Sequence, residues 1–339
     1  MTRLAGFVPI RIYPKDGALA VDWCHLGTRR FSDPFFRGTV ETALLEPFNQ
    51  AFRPETPIEA LEDFARGSPG IAPTAFVFHA SRCGSTLLAR MLMTLRSHVV
   101  VSEPTMLEAL LHPTAHVPPM RRERRVALLR ALFSALAQPR SGGETRFVVK
   151  LDAWNVVALP LIREAFPDVP WLYLYRDPAE IAVSQWRAPG AHVVPGILGP
   201  AAALVPPDVA RTLPREEFIA RVIGRLLEAG ALHCAVDGGR PVHYEELVSA
   251  VETRLATLLG VDPDCVDRDA MTAVLEQDAK TPQLSFTPDR DRKRDEISPA
   301  LRDAVLRHAD APYRALEALR ASRSEAAQGG APALPNVRR

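Results

Sequence analysis

The sequence predicts an α/β fold: a parallel sheet of about five strands with helices on both faces, preceded by a small α+β lead-in unit. Three observations carry this expectation. Apolar segments at 75–79, 99–101, 146–150, 171–175 and 241–244 alternate with helical stretches, as a parallel sheet covered on both faces requires. The first of them runs into a tight, glycine-containing loop and then into a helix. Hydrophobic residues make up 47% and charged residues 24% of 339 residues, enough to bury a sizeable core.

The lead-in spans 1–72. Residues 10–13 and 19–23 flank Pro14-Lys15-Asp16-Gly17 and predict a hairpin. Asp33-Pro34 opens a helix expected to run through Glu46, weakened by Gly38. Thr56-Pro57-Ile58-Glu59 reads as a capping box with proline at the first helical position, starting a helix that Gly67 ends. The main domain is expected at 73–320, with helices at 85–95, 120–138, 154–166, 178–187, 214–235, 245–259, 264–277 and 299–319. Residues 188–214, rich in Pro, Gly and Ala, read as a long functional or mobile loop. The tail 321–339 is expected to be disordered.

Composition narrows the function classes. Lys plus Arg number 41 against 40 acidic residues, a net charge of +1, which excludes a polybasic nucleic-acid or membrane binder. Cys24, Cys83, Cys234 and Cys265 form no C-x-x-C pair and no zinc spacing, as free thiols in a reducing cytosol would. No signal-peptide pattern opens the chain, and no run of about 18 apolar residues occurs. The expectation is a cytoplasmic protein with no membrane span and no nucleic-acid partner.

The most informative stretch is Ser81-Arg82-Cys83-Gly84-Ser85-Thr86-Leu87. Backbone N–H groups of such a loop and the following helix N-terminus make an anion site. Gly84 permits close backbone approach, Ser85 and Thr86 add hydroxyl donors, and Arg82 adds a fork of charged donors. The loop departs from G-x-x-x-x-G-K-[ST]: His79 stands where the first glycine would be, and Ser85 where the lysine would be. Further on, Arg176-Asp177-Pro178 ends a predicted strand, at the crevice where open parallel sheets bind ligands. Ser184 follows two helical turns later on the same side, and an Arg with a Ser suits a terminal phosphate.

These segments resemble the two nucleotide-binding segments of sulfotransferases that use 3′-phosphoadenosine 5′-phosphosulfate (PAPS). The resemblance covers roughly residues 74–250 and omits the lead-in. It implies the nucleotide-triphosphate-hydrolase-like sulfotransferase fold. Residues 81–87 would hold the 5′-phosphosulfate, and Arg176 with Ser184 the 3′-phosphate. Tyr244, in His243-Tyr244-Glu245-Glu246-Leu247, would lie near the nucleotide, with Lys280 and the basic run 290–294 in a late covering loop. Glu103, 21 residues after Arg82, resembles the glutamate base of tyrosylprotein-type members; His112, His116 and His192 are its rivals. Lys150 would reach the transferring sulfonate. Each also has a purely structural alternative: Arg176 pairing Asp177, Tyr244 closing a strand, Glu103 starting a helix, Lys150 facing solvent.

The function so implied is transfer of a sulfuryl group from PAPS to a hydroxyl or amine of a small-molecule, glycan or peptide acceptor. The product is adenosine 3′,5′-bisphosphate, and no metal is required. The alternatives are a nucleotide phosphotransferase or kinase on a related sheet, and a non-catalytic nucleotide-binding protein.

Overall fold

The computed structural model describes residues 4–114, 116–200, 202–285, 293 and 295–329. The chain opens with the antiparallel hairpin β1 (Phe7–Lys15) and β2 (Ala18–His25). Asp16 and Gly17, at φ 49° and 77°, form its two-residue turn, whose hand matches the strand twist. Helices α1 (Phe36–Leu44) and α2 (Pro47–Ala51) replace the single helix expected through Glu46, because Pro47 starts a new helix.

β3 (Glu55–Pro57) then pairs antiparallel with β2, which corrects the capping-box reading of Thr56. The Thr56 hydroxyl accepts from Trp23 Nε1 at 2.9 Å instead of capping a helix. Pro57 is tolerated because β3 is an edge strand. The helix itself, α3 (Ala60–Gly67), begins only after Glu59.

The main sheet comprises β4 (Pro73–His79), β5 (His98–Ser102), β6 (Arg146–Lys150), β7 (Trp171–Tyr175) and β8 (Arg240–His243). Every pairing is parallel, in the order β5-β6-β4-β7-β8. The chain leaves β4 toward one edge and leaves β7 toward the other. The topological switch point, where such sheets place ligands, therefore lies between β4 and β7.

The helices of this region are α4 (Ser85–Met93), α5 (Glu108–Leu111), α6 (Arg122–Leu136), α7 (Leu159–Ala165), α8 (Pro178–Arg187) and α9 (Pro207–Ala210). They continue with α10 (Arg215–Val236), α11 (Leu247–Glu252), α12 (Ala256–Leu259), α13 (Arg268–Glu276), α14 (Pro299–His308) and α15 (Asp310–Gly329).

Strand alternation sorts the core into two layers. Ala75 and Val77 pack with Leu88, Leu92 and Leu255 on one face of the sheet. Phe76, Phe133 and Phe147 lie on the other face, and Val8, Trp23, Leu61 and Phe64 of the lead-in join that same layer. The lead-in is thus built into the main core. Three expected helices are interrupted: 154–166 begins as a 3-10 turn (Ala153–Ala158), 245–259 breaks between α11 and α12, and 299–319 breaks at Ala309.

The tail expectation is corrected in part, since α15 continues to Gly329. Arg323 of that helix donates to the carbonyls of Cys234 (2.5 Å) and Gly239. Residues 330–339, most of the basic run 290–294 and part of the 279–297 segment lie outside the described residues. No described helix is long and apolar enough to cross a membrane.

Candidate active site

A cavity of about 550 Å³ opens at the C-terminal ends of the strands, at the switch point. Ser81, Arg82, Cys83, Gly84, Ser85, Thr86 and Leu87 all line it, as do Glu103, Arg176, Ser184, Tyr244 and Lys280. Residues distant in sequence thus converge on one space, within the roughly 300–1,000 Å³ range of small-molecule sites.

The loop after β4 is locally strained. Ser81 and Arg82 have φ 66° and 50°, left-handed values that cost non-glycine residues about 1–3 kcal/mol each. His79 helps hold the turn. Its Nδ1 accepts from Ser81 N at 3.0 Å, so its proton sits on Nε2, 3.0 Å from the Leu151 carbonyl. Burial lowers its pKa, and the imidazole is neutral at pH 7. Gly84, at φ 83°, is required twice over: a Cβ there would also lie 2.7 Å from the Tyr244 ring. Arg82 donates to the Ala188 carbonyl, tying the loop to the segment after α8.

Cys83 Sγ lies 3.2 Å from the Leu174 carbonyl, and burial pushes the thiol up to about 12. It is a packed spacer with no thiolate character at neutral pH. Cys83→Ala should therefore leave nucleotide affinity near wild type, at a stability cost on the order of 1 kcal/mol. If the loop binds the nucleotide that the sequence resemblance implies, Arg82→Ala should weaken that binding about tenfold or more, the worth of one charge-assisted hydrogen bond. Calorimetry on both variants checks the contrast.

Across the crevice, Arg176 follows β7. Its partner is Glu180, one turn into α8, rather than Asp177. Asp177 instead caps that helix, accepting from Ala179 N at 2.8 Å and Glu180 N at 3.3 Å. The Arg176 guanidinium lies 4.2 Å over the Tyr244 ring, so Tyr244 bridges Gly84 and Arg176. Arg90 of α4 holds Gln277 Oε1 at 2.5 Å and the Asp278 carbonyl at 3.2 Å, fixing the segment that brings Lys280 to the cavity. Although much of the Lys280 residue is exposed, lost hydration at the ammonium pushes its pKa down to about 8, with Arg82 adding to the effect. Of the late basic run, Lys293 is buried in the same wall.

The third wall holds Glu103, Asp152, Trp154, His192 and Phe35, the last from the lead-in. Glu103 follows β5 at φ 55°, with its N–H on the Lys150 carbonyl at 2.7 Å. Lys150, 1% exposed, lies behind this wall rather than in it. Its ammonium pairs with Glu103, lies 3.5 Å from Ser102 Oγ, and sits 5.2 Å from the Phe35 ring centre. Burial alone would raise the Glu103 pKa, but Lys150 and His79 together hold it well below the ordinary carboxylate range.

The rival histidines separate cleanly. His112 Nε2 pairs with Asn155 Oδ1 at 2.9 Å, outside the cavity wall, and His116 is exposed and also outside it. His192 is in the wall, but its basic nitrogen is occupied. Gly190 N donates to Gln185 Oε1 at 2.8 Å, which orients the carboxamide. Gln185 Nε2 then donates to Ser81 Oγ at 2.9 Å and to His192 Nε2 at 3.1 Å. Burial, with His79 and Arg82 adding, lowers His192 to about 3.

Sequence reasoning missed His79, Asp152, Trp154, Gln185 and Phe35. Asp152 had one available signal, its place two residues past Lys150 at a strand end. Among the described residues no group of three or more His, Cys, Asp or Glu could hold a metal ion. No protein-family model and no curated protein matches the sequence. What fold and site define together is an α/β protein with a strained arginine-bearing loop, a second arginine after β7 and a carboxylate–lysine pair around one cavity.

Proposed function

We propose that the protein is a PAPS-dependent sulfotransferase acting on a hydroxyl or amine. One observation carries the reading: loop 81–87 and the Arg176–Ser184 pair line one cavity from opposite sides of the switch point, with Tyr244 between them. Charged and hydroxyl donors on two sides of one cavity suit a nucleotide carrying anionic groups at both its 5′ and 3′ positions. The donor fits the chemistry of this wall, with charged and hydroxyl donors at both ends.

In this reading Arg82, Ser85, Thr86 and the α4 N-terminus bind the phosphosulfate and neutralise charge on the leaving phosphate. Arg176 and Ser184 bind the 3′-phosphate. Glu103, ionised and at the cavity surface, takes the acceptor's proton as the acceptor–sulfur bond forms and the sulfur–phosphate oxygen bond breaks. Lys150 acts through Glu103, orienting its carboxylate from behind. Phe35, Trp154 and the 190–192 segment exclude water from the acceptor side. A cytoplasmic location belongs to the same proposal.

Adenosine 3′,5′-bisphosphate should bind at least about tenfold more tightly than adenosine 5′-monophosphate, since charge-assisted bonds are worth roughly 1.5–3 kcal/mol each. Transfer should also persist in EDTA, with arginines and N–H donors in the role of the magnesium clamp of kinases. Equal affinity for the two nucleotides would remove the PAPS assignment. Activity lost in chelator and restored by magnesium, with ATP as donor, would favour the phosphotransferase alternative.

A further inference from the structure

We propose that the acceptor is a carbohydrate-type polyol, recognised by Glu103 and Asp152 through two neighbouring hydroxyls and by Trp154 through its C–H face. The inference rests on the sulfotransferase reading and deepens it by naming the acceptor class.

Asp152 is the first observation. It occupies the N-cap position of the turn Ala153–Ala158 with extended backbone, φ −66° and ψ 152°, yet its carboxyl makes no cap. Asp177, Asp262, Asp267 and Ser298 stand at the same kind of position, and each does cap. Asp152 instead lines the cavity wall together with Glu103, whose carboxylate raises its pKa. Burial and the charges of Glu103 and Glu108 raise its pKa above the ordinary carboxylate range. In either protonation state Asp152 keeps an oxygen that can accept a hydrogen bond. Glu103 receives the proton of the reacting hydroxyl, and Asp152 accepts from the hydroxyl next to it.

Trp154 is the second observation. Its indole N–H donates to Glu108 Oε2 at 3.0 Å, which fixes the ring as a half-buried platform in the same wall. Saccharide rings present weakly positive C–H groups on one face, complementary to the negative face of an indole. A flat phenol would set an apolar edge against Asp152 and leave its oxygen unsatisfied. A cationic amine gains nothing here. Lys150 already neutralises Glu103, burial disfavours a charge on Asp152, and Arg82, Lys280 and Lys293 line the same space.

The test uses the full-length protein and sulfur-labelled PAPS. One arm offers glucosides, galactosides and N-acetylglucosaminides. A second offers the same compounds after periodate cleavage of their vicinal diols. A third offers 2-naphthol and a tyrosine peptide. Label should enter the intact saccharides alone. Asp152→Ala should raise the saccharide KM about tenfold or more, with Asp152→Asn within a few-fold of wild type because its carbonyl still accepts. Trp154→Ala should raise KM independently, and all three variants should keep wild-type affinity for adenosine 3′,5′-bisphosphate. Transfer to 2-naphthol or the peptide in preference to saccharides, or to no saccharide while the bisphosphate still binds, overturns the acceptor class. Failure of the bisphosphate to bind overturns the donor reading itself and the acceptor class with it.

Discussion

Glu103→Gln is expected to slow turnover by about 10²–10⁴-fold, the usual worth of a positioned general base. Affinity for adenosine 3′,5′-bisphosphate should change little, because the proposed nucleotide ligands belong to the β4 and β7 loops. The carboxylate is strongly prepared: a left-handed backbone, an N–H tie to the Lys150 carbonyl and an ion pair fix its position. Because Lys150 and His79 overcome the effect of burial and keep Glu103 ionised, the acid limb of the rate profile should fall below the ordinary carboxylate range. Single-turnover kinetics on folded protein check this. Wild-type transfer by Glu103→Gln, with collapse in His192→Ala, would reassign the base to His192 and require its bond from Gln185 to open.

The same substitution has a second large consequence, for stability. Lys150 is 1% exposed, so Glu103→Gln leaves a buried ammonium without its counter-ion. Breaking one side of a buried pair costs about 3–5 kcal/mol. Lys150→Met should destabilise in the opposite sense, by stranding the carboxylate. The double variant Glu103→Gln/Lys150→Met should be more stable than either single variant, since no unpaired charge remains. Urea unfolding measures all four proteins, and additive single-variant losses in the double would defeat the expectation.

The pH dependence has a definite sign. Glu103 has a lowered pKa in the folded state. Its contribution is therefore fully present above the unfolded value of about 4.3 and is lost as pH falls through the lower folded value. The double variant should lack this acid sensitivity.

Much of the β6–β7–α8 framework was legible because its signals are local. The strands at 146–150 and 171–175 and the helix at 178–187 coincide with β6, β7 and α8. In each, apolar runs and proline punctuation agree with the final structure. The same is true of loop 81–87, whose residue types state their chemistry in one short stretch.

What was not legible depends on long-range pairing. Thr56 and Pro57 carry a helix-start signature, but their fate is decided by β2, some 35 residues earlier in the chain. Lys150 was expected at the transferring group and lies behind Glu103, because Phe35 of the lead-in covers it. Nothing in the spacing of residues 35 and 150 announces that contact. Asp152 likewise acquires meaning only beside Glu103, which follows another strand, and Gln185 only from Ser81 in the loop after β4.

The switch-point layout divides the labour of this protein in space. On the proposed reading, groups facing the donor sit on the loops after β4, β7 and β8. On the same reading, groups facing the acceptor come from the chain ends of β5 and β6, from 190–192, and from Phe35 of the lead-in. The two sets meet at Gln185, which touches Ser81 on one side and His192 on the other. Substrate preference can accordingly drift by exchanging the second set while the first stays unchanged. Grafts that respect the Gln185 seam should trade one acceptor for another. Grafts that cut through it would disturb both halves at once.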